Sequence, residues 1–192
     1  MFLPLTDSRP IVFPMGFSMI LKKDFFFVRH GQTDHNRFLH KVDHEDISLN
    51  VIGKEQAKNL APLIAGLCIQ TICCSPLRRA KETKQLLLPK SVHLEINDLG
   101  ECTSQIWKEM TLMGSEVLIS GSETTKCYLH RAKQGINEAL SQQGPVLIVA
   151  HGGIHWAICC WMGIIEHDWI IDNCKLVHFS INCLGGWQAK IL

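Results

Sequence analysis

Two short apolar runs, each ending in a histidine followed by glycine, constrain this chain more than any other feature. Residues 25–28 are three phenylalanines and a valine, followed by Arg29 and His30, and residues 145–150 lead into His151. Continuous apolar runs of this length are typical of strands buried on both faces of a parallel sheet. Because open α/β sheets bind ligands at the carboxyl ends of their strands, we expect both histidines at one edge of the sheet.

The length and charge of the chain limit the kinds of protein it can be. Its 192 residues are enough for one domain with a full core and too few for two of typical size. The formal net charge is +1, which provides no broad electrostatic attraction for nucleic acid or for an anionic membrane. We therefore expect one domain with no nucleic-acid or membrane partner. The sequence leaves the oligomeric state open.

The nine cysteines favour a reducing environment. Their number is odd, and their spacings form no CxxC pair of the kind that binds metals. Most of them lie among apolar residues and are expected to be small buried side chains, including Cys73 and Cys74 in a strand. We therefore expect a cytoplasmic protein.

Residues 1–19 are expected to be a leader or N-terminal extension. This stretch is apolar but contains Asp7, Arg9 and three prolines, without a basic start before an uninterrupted apolar core. Such a segment is a poor signal peptide and is too broken to span a bilayer. Met19 is an alternative natural start, and the sequence leaves open whether the residues before it belong to the natural chain.

Strands and helices alternate after residue 20, which predicts an α/β three-layer sandwich with a mostly parallel central sheet flanked by helices. Asn50 is expected to cap one helix, and Ser75 the next, with Pro76 at its first position. Residues 34–47 are predicted to be a polar loop. The mixed pattern of residues 99–120 predicts only short helical turns. The predicted strands are residues 25–28, 69–73, 92–96, 146–150, 177–182 and 187–191, and the predicted helices are residues 51–66, 76–87, 153–163 and a segment capped near Ser122 that reaches Leu140.

The predicted strand edges collect side chains that suit a phosphate group. Arg29 and Arg79 carry planar guanidinium groups that can each bind two phosphate oxygens. His30 and His151 add imidazoles that can serve as nucleophile or donor. The backbone amides that begin at Gly152 open a predicted helix and offer further donors to an anion. The sequence therefore predicts a phosphate site at this edge.

Six segments of the chain follow the order and spacing of the motifs of one protein family. They are Arg29-His30-Gly31-Gln32-Thr33 with Asn36, residues 46–53 with Gln56-Ala57, Ser75-Pro76-Leu77-Arg78-Arg79-Ala80 with Thr83, Leu99 and Glu101 with Trp107, Gly121-Ser122-Glu123-Thr124 with Arg131, and Ala150-His151-Gly152-Gly153. Together these segments resemble the histidine phosphatase superfamily, the phosphoglycerate mutase-like proteins, and its small phosphatase branch most of all. The resemblance covers nearly everything after Phe25 and implies one such domain over residues 20–192.

The resemblance implies a role for each matching residue. His30 would be the nucleophile, attacking phosphorus in line and becoming a phosphohistidine. Arg29, Arg79 and His151 would bind the phosphoryl oxygens and stabilise the charge of a loose transition state, with His151 part of the catalytic set. Asn36 would donate a hydrogen bond to the same phosphoryl group.

The resemblance also implies a carboxyl group that handles protons. Glu101 would be the general acid that protonates the leaving oxygen, and then the base that activates water against the phosphoenzyme. Glu95 and Glu109 are nearby alternatives for this role. Arginines and histidines take the place of a neutralising ion, so neither a metal nor another cofactor is implied.

The departures from the family pattern lie on the leaving-group side. Ser104-Gln105 replaces a usual Phe-Gly pair, Cys127 stands where an acidic residue is expected, and Gly153 stands where phosphoglycerate mutases have asparagine. The longer basic insert of the mutases is also missing after Glu101. We therefore expect a metal-independent phosphomonoester hydrolase acting on a small phosphorylated metabolite. The alternatives are a cofactor-dependent phosphoglycerate mutase and a non-catalytic domain that binds phosphorylated ligands.

Three other groups of residues allow a structural or a functional interpretation. Arg79, beside Arg78, also fits an ordinary charged helix face, but Arg79 is favoured as the phosphate ligand because it precedes Ala80 in the motif. The stretch 35–46 is rich in His and Asp, but its spacing matches no closed set of zinc ligands, so a solvated loop beside the active site is favoured. Trp156, Trp161 and Trp169 are expected in the core or in a hydrophobic surface patch, with a partner interface as the alternative.

Overall fold

The protein's structure, a computed structural model, describes residues 20–38, 46–112 and 123–192. The expected leader, residues 1–19, lies outside this part, as does most of the His-rich stretch. The strands are β1 Phe25–Arg29, β2 Thr71–Cys74, β3 Leu94–Glu95, β4 Val146–Ala150, β5 Leu176–Ile181 and β6 Trp187–Ile191. The helices are α1 Asp34–Phe38, α2 Val51–Ala65, α3 Arg78–Leu87, α4 Ser104–Leu112, α5 Thr125–Ser141 and α6 Gly152–Met162, with a 3-10 turn at Asn97–Leu99.

The strands form one six-stranded sheet in the order β3-β2-β4-β1-β5-β6. The first four strands in this order run parallel. At one side β5 pairs antiparallel with β1, and β6 pairs antiparallel with β5. Arg29 at the end of β1 pairs with Ala150 at the end of β4, and the pairing continues with a 2.9 Å bond from the His30 amide to the Ala150 carbonyl. The two predicted histidines therefore leave neighbouring parallel strands at the same level.

Helices cover both faces of this sheet. Phe27 and Ile148 point into the larger core, where Ile136 of α5 and Ile154 of α6 pack against them. Next to them in the chain, Val28, Leu147 and Val149 point the other way, into a smaller core with Ile64 of α2 and Ala80 and Leu87 of α3. Because β1 and β4 are apolar on both faces, each can lie between two helical layers. The predicted three-layer α/β sandwich is confirmed.

The helix boundaries agree with the sequence except where tertiary contacts intervene. Asn50 caps α2 as predicted, its side chain accepting a bond from the Gly53 amide at 2.8 Å. The prediction that Ser75 caps the next helix was wrong, because α3 begins only at Arg78 and has Leu77 at its N-cap. Ser75 is instead buried against His151. Pro76 and Leu77 separate it from the first residue of α3.

Other boundaries shift for local reasons. Part of the predicted polar loop is helical, since α1 covers Asp34–Phe38. Residues 99–120 contain the two-turn helix α4, and the predicted strand 92–96 shortens to Leu94–Glu95. Thr124 caps α5 by accepting from the Cys127 amide at 3.1 Å, while Ser122, near which the cap was predicted, lies outside the described residues.

Among the described helices, none is both long enough and apolar enough to cross a lipid bilayer.

Candidate active site

His30 follows β1 directly and is buried, with 3% of its surface exposed. Its Nδ1 lies 2.8 Å from the Gly31 carbonyl oxygen, and since a carbonyl can only accept, Nδ1 carries the proton. The lone pair is therefore on Nε2, which is 3.3 Å from Nε of Arg79. This tautomer presents an unprotonated nitrogen to the arginine-lined side of the site.

His151 follows β4 and is completely buried, and its ring centroid is 5.1 Å from that of His30. Its Nε2 is 2.7 Å from the hydroxyl of Ser75. That hydroxyl also accepts a bond from the Leu77 amide at 3.3 Å, so its own hydrogen is available to donate to Nε2. In this arrangement the proton of the imidazole sits on Nδ1, a buried atom with no hydrogen-bond partner among the described residues.

Burial and nearby positive charge keep both imidazoles neutral. Desolvation is the largest cause that lowers the pKa of His30 well below its usual value, followed by Arg79 and Arg29. Desolvation also dominates for His151, whose pKa is lowered further by Arg79 and by His30. A neutral His30 is a competent nucleophile, and a neutral His151 is a hydrogen-bond donor through Nδ1.

The two arginines reach the site from different elements. Arg29, at the end of β1, donates from Nη1 to the Ile171 carbonyl, while its Nε is buried without a partner in the described part of the chain. Burial lowers the pKa of both Arg29 and Arg79, and the negative charge of Glu101 opposes that effect for both. By contrast, Arg78 points outward and pairs with Glu82 at 2.8 Å. Arg79, not Arg78, is the arginine that lies at the site.

Glu101 lies over the first turn of α6. Its Oε1 accepts bonds from the Cys102 amide at 3.0 Å and the Gly153 amide at 3.1 Å. A Cβ atom on Gly153 would lie 2.3 Å from that oxygen and 2.6 Å from the Tyr128 hydroxyl. Only glycine at residue 153 leaves room for this contact, so the helix N-terminus can hold the carboxylate beside both arginines.

The alternative carboxylates are engaged elsewhere. Glu95 pairs with Lys81 at 3.1 Å on the surface. Glu109 accepts bonds from Gln105, at 3.1 Å, and from Thr125. Glu101 is therefore the candidate carboxylate that the structure places near Arg29 and Arg79, at the start of the helix that follows His151.

Asn36 is held by its oxygen. Its Oδ1 accepts from the Thr33 amide at 3.2 Å and from Nδ2 of Asn173 at 3.1 Å. Asn173 also donates to the His30 carbonyl at 2.9 Å, which fixes the position of Asn36 relative to the nucleophile. These bonds leave the Asn36 amide hydrogens as the group available to a ligand oxygen.

Several motif residues position the site without lining it. Thr83 accepts a bond from the Gly31 amide at 3.0 Å and donates to the Arg79 carbonyl at 2.7 Å. It thereby ties the loop after His30 to the turn that carries Arg79. Gln56 accepts from the Gln32 amide at 2.9 Å, and this second bond attaches the same loop to α2.

Sequence reasoning missed two positioning residues. Ser75 was interpreted as a helix cap, although its hydroxyl contacts His151. Asn173 was not identified, because it lies between α6 and β5 with no local pattern around it. A hydrogen bond to a residue more than 70 positions away leaves no periodic signal in the sequence.

The remaining predicted groups lie away from the two histidines or outside the described part. Residues 39–45, which include His40, Asp43 and His44, are among those the structure does not describe. Trp156 and Trp169 pack edge to face, with centroids 4.9 Å apart, against the larger core. Trp161 also packs there and donates from Nε1 to the Leu129 carbonyl at 2.9 Å. These contacts agree with the interpretation of the tryptophans as core residues.

Comparison with known proteins gives one family. The model of the histidine phosphatase superfamily (branch 1) matches residues 25–190. A phosphatase of Bacillus subtilis, PhoE, described as uncharacterised, is 31% identical over 136 residues, which cover 65% of this chain and 69% of that protein.

Two other similarities differ in their coverage. Agropine synthesis reductase of Rhizobium rhizogenes is 29% identical over 183 residues, covering 88% of this chain, but the chain spans only 41% of that protein's length. A variant of phosphoserine phosphatase from Entamoeba histolytica, crystallised with phosphoserine, superposes with a TM-score of 0.71 at 19% identity, covering 88% of this chain and 95% of the other. At that identity the structural likeness shows the fold alone. Taken with the match over residues 25–190, the sequence motifs and the fold show that the chain belongs to the histidine phosphatase superfamily.

Proposed function

We propose that this chain is a phosphatase that hydrolyses phosphomonoesters of small metabolites through a phosphohistidine on His30. The observation that carries the proposal is the convergence of two neutral, buried imidazoles with two arginines. The His30 and His151 rings are 5.1 Å apart, and Arg79 contacts the unprotonated nitrogen of His30 at 3.3 Å. Arg29 Nε and His151 Nδ1 are buried polar atoms that still need an acceptor, and phosphoryl oxygens would supply it.

The proposed reaction has two steps. His30 Nε2 attacks phosphorus, and the new N–P bond forms as the bond from phosphorus to the leaving oxygen breaks, while Glu101 gives that oxygen a proton. Water then attacks the phosphohistidine, Glu101 takes a proton from it, and the N–P bond breaks to release phosphate. Arg29, Arg79 and His151 stabilise the charge that the phosphoryl oxygens carry in both transition states.

The surroundings of Glu101 favour hydrolysis over the mutase alternative. Gly153 is required for the carboxylate to sit on the α6 N-terminus, and this is the position at which mutases differ. The relative from Bacillus subtilis is described as a phosphatase, and the structural neighbour from Entamoeba histolytica is a phosphoserine phosphatase. Both descriptions agree with phosphatase activity, and the second also agrees with a phosphorylated small molecule as the substrate of this chain.

The proposal also includes a reducing compartment such as the cytoplasm. All nine cysteines are free in the structure, and buried thiols such as Cys73 and Cys74 pack in the hydrophobic cores as apolar side chains.

The decisive experiment measures turnover of para-nitrophenyl phosphate in EDTA by the wild-type chain and by His30→Ala. We expect turnover in the wild type and a loss of at least about 10³-fold in the variant. His178→Ala is the matched control. This histidine lies away from the site and stacks on Phe26, with ring centroids 4.7 Å apart. Rapid quenching should trap a phosphoprotein that is stable in alkali and labile in acid, and His30→Ala should not form it.

Three results would contradict the proposal. Turnover that survives in His30→Ala would exclude His30 as the nucleophile. Phosphate binding without turnover in the wild type would support a domain that only binds phosphorylated ligands. Isomerisation of 3-phosphoglycerate that depends on 2,3-bisphosphoglycerate, and that is faster than its hydrolysis, would support the mutase.

A further inference from the structure

A second cluster of reactive side chains lies on the α6 side of the sheet, beyond the candidate active site. His155, Cys159 and His167 each place one ligand atom so that all three atoms lie within 4.8 Å of one another. Nε2 of His155 is 3.1 Å from Nε2 of His167 and 3.9 Å from Sγ of Cys159. None of these residues takes part in the reaction proposed above.

The geometry points to a zinc-binding site formed by His155, Cys159 and His167. His155 and Cys159 are one helical turn apart on α6 and therefore project from the same side. His167 approaches them from the segment between α6 and β5. Bonds of about 2.0 Å to nitrogen and about 2.3 Å to sulfur place the ligand atoms of a tetrahedral zinc site about 3.3 to 3.6 Å apart. The nitrogen–nitrogen distance of 3.1 Å lies just below this range, and the nitrogen–sulfur distance of 3.9 Å lies just above it.

The second layer of contacts is already arranged as a metal site requires. Nδ1 of His155 donates to the Trp169 carbonyl at 2.9 Å, so the lone pair of this ring is on Nε2, the atom that faces the cluster. A histidine ligand commonly donates its other ring nitrogen to a carbonyl, which fixes the tautomer. The Nε2 lone pair of a neutral imidazole is the donor that binds metals.

Apolar walls surround the three ligands. The ring of His155 lies 5.5 Å from that of Phe27 and 5.8 Å from that of Phe179, measured between centroids. His155 and Cys159 are fully buried, whereas His167 is partly exposed. An ion can therefore enter beside His167, and a water molecule can complete its four ligands there.

Metal binding exchanges protons in a defined way. Without an ion, Nε2–H of His167 donates to Nε2 of His155, which accounts for their 3.1 Å separation. Coordination moves the His167 proton to its Nδ1 and displaces the proton of the Cys159 thiol, so one proton leaves for each ion bound. Nitrogen and thiolate ligands in a tetrahedral arrangement favour Zn²⁺ over Mg²⁺ or Ca²⁺.

The site would fasten α6 to the segment that follows it. That segment carries the Ile171 carbonyl, which binds Arg29, and Asn173, which binds the His30 carbonyl. Zinc at the cluster would thus stabilise the wall of the active site without contacting the phosphate. Turnover in EDTA and zinc binding are independent outcomes, so either proposal can fail without the other.

Cobalt binding tests the inference, because Co²⁺ replaces Zn²⁺ and its thiolate bond absorbs in the near ultraviolet. The untagged, reduced chain is used with its exposed cysteines Cys68, Cys127 and Cys183 changed to serine, which removes adventitious thiolate sites. We expect one Co²⁺ per chain with a thiolate band, displaced by one Zn²⁺, and a rise in the melting temperature with Zn²⁺.

Matched variants assign the ligands. Cys159→Ser should lose the thiolate band and the thermal shift, while Cys160→Ser, its neighbour on α6, should keep both. His167→Ala, on the partly exposed side, should weaken binding at least about tenfold while leaving the fold intact by circular dichroism. The inference is overturned if no band forms, if the band survives in Cys159→Ser, or if Cys160→Ser removes it.

Discussion

At the scale of single residues, the contact between Glu101 and the Gly153 amide decides where the proposed general acid lies. The amide holds Oε1 at 3.1 Å, and a side chain at residue 153 would occupy the same space. This explains why a glycine follows Gly152 at the start of α6. The position of an acid relative to the leaving oxygen matters most when that oxygen is strongly basic.

Gly153→Ala should therefore impair hydrolysis of phenyl phosphate more than that of para-nitrophenyl phosphate. The added methyl group displaces the carboxyl group, and phenolate needs protonation more than nitrophenolate does. We expect kcat for phenyl phosphate to fall by about 10²-fold, the lower range for loss of acid catalysis, with a smaller loss for the activated ester. Gly66→Ala is the matched control, since a Cβ there meets only ordinary contacts at 3.4 Å or more. Equal losses for both esters would exclude this role of Gly153.

The two buried imidazoles also make the stability of the protein depend on pH. The pKa values of His30 and His151 are lowered mainly by burial, so below about pH 6.5 the unfolded chain binds protons that the folded chain does not. The free energy of unfolding therefore decreases as the pH falls below 6.5. Above that pH neither state binds these protons, and the effect is absent.

His151→Asn should lose less stability than the wild type on acidification from pH 7 to pH 5. The expected difference is about 1 to 2 kcal/mol, because each unit of pH below the unfolded pKa costs at most about 1.4 kcal/mol per buried neutral histidine. Urea unfolding at the two pH values measures it. Leu184→Ala, at a side chain 92% exposed, is the control and should follow the wild type. Identical acid sensitivity of His151→Asn and wild type would show that His151 gains its proton in the folded state.

At the scale of the secondary-structure elements, the junction between β2 and α3 contributes Ser75 to the candidate active site and not to the N-cap of α3. Ser75 bonds to His151 across the sheet, with 2.7 Å between Oγ and Nε2, and α3 starts three residues later. The helix then places Arg79 against His30. The contact that orients the imidazole of His151 thus occupies Ser75, and α3 begins after this residue.

Ser75→Ala should lower kcat by about 10- to 100-fold, the range expected when a group that orients a functional imidazole is lost. Its effect on KM should be smaller, because in the proposed mechanism His151 Nδ1 acts mainly on the charge of the transition state. The free energy of unfolding should fall by about 1 kcal/mol, the size of one hydrogen bond.

Ser141→Ala is the control for this change. Its hydroxyl makes only local bonds in an exposed part of the chain, donating to the Glu138 carbonyl and accepting from the Gln142 side chain, so activity should not change. An unaltered kcat in Ser75→Ala would mean that the hydroxyl is not needed to orient His151.

At the scale of the whole molecule, two cores share the same strands. Neighbouring residues of β4, Leu147 and Ile148, point into the smaller and the larger core respectively. Neither helical layer can lose its packing without exposing the sheet that supports the other. The part of the chain that the structure describes should therefore unfold as one cooperative unit.

Leu147→Ala tests this cooperativity. Truncating a buried leucine costs about 2 to 5 kcal/mol, and this one lies in the smaller core. All five tryptophans pack on the larger core instead, namely Trp107, Trp156, Trp161, Trp169 and Trp187. In urea, tryptophan fluorescence and far-ultraviolet circular dichroism should shift together by the same amount. Two separate transitions would show that the two layers unfold independently.

The sequence alone determined the fold class and the family motifs, because both depend on local patterns. A continuous apolar run marks a strand buried on both faces, and a histidine followed by glycine stands at the end of both runs. Those patterns predicted where Arg29, His30 and His151 leave the sheet, and the motif spacing distinguished Arg79 from Arg78.

Only the tertiary structure decided how distant residues complete the site. The contacts of Ser75 with His151, of Asn173 with His30, and of Gly153 with Glu101 each join segments more than 50 residues apart. The cluster of His155 with His167 likewise depends on how the chain returns after α6. Such contacts arise from the packing of finished elements on one another, and packing has no period along the chain from which it could be predicted.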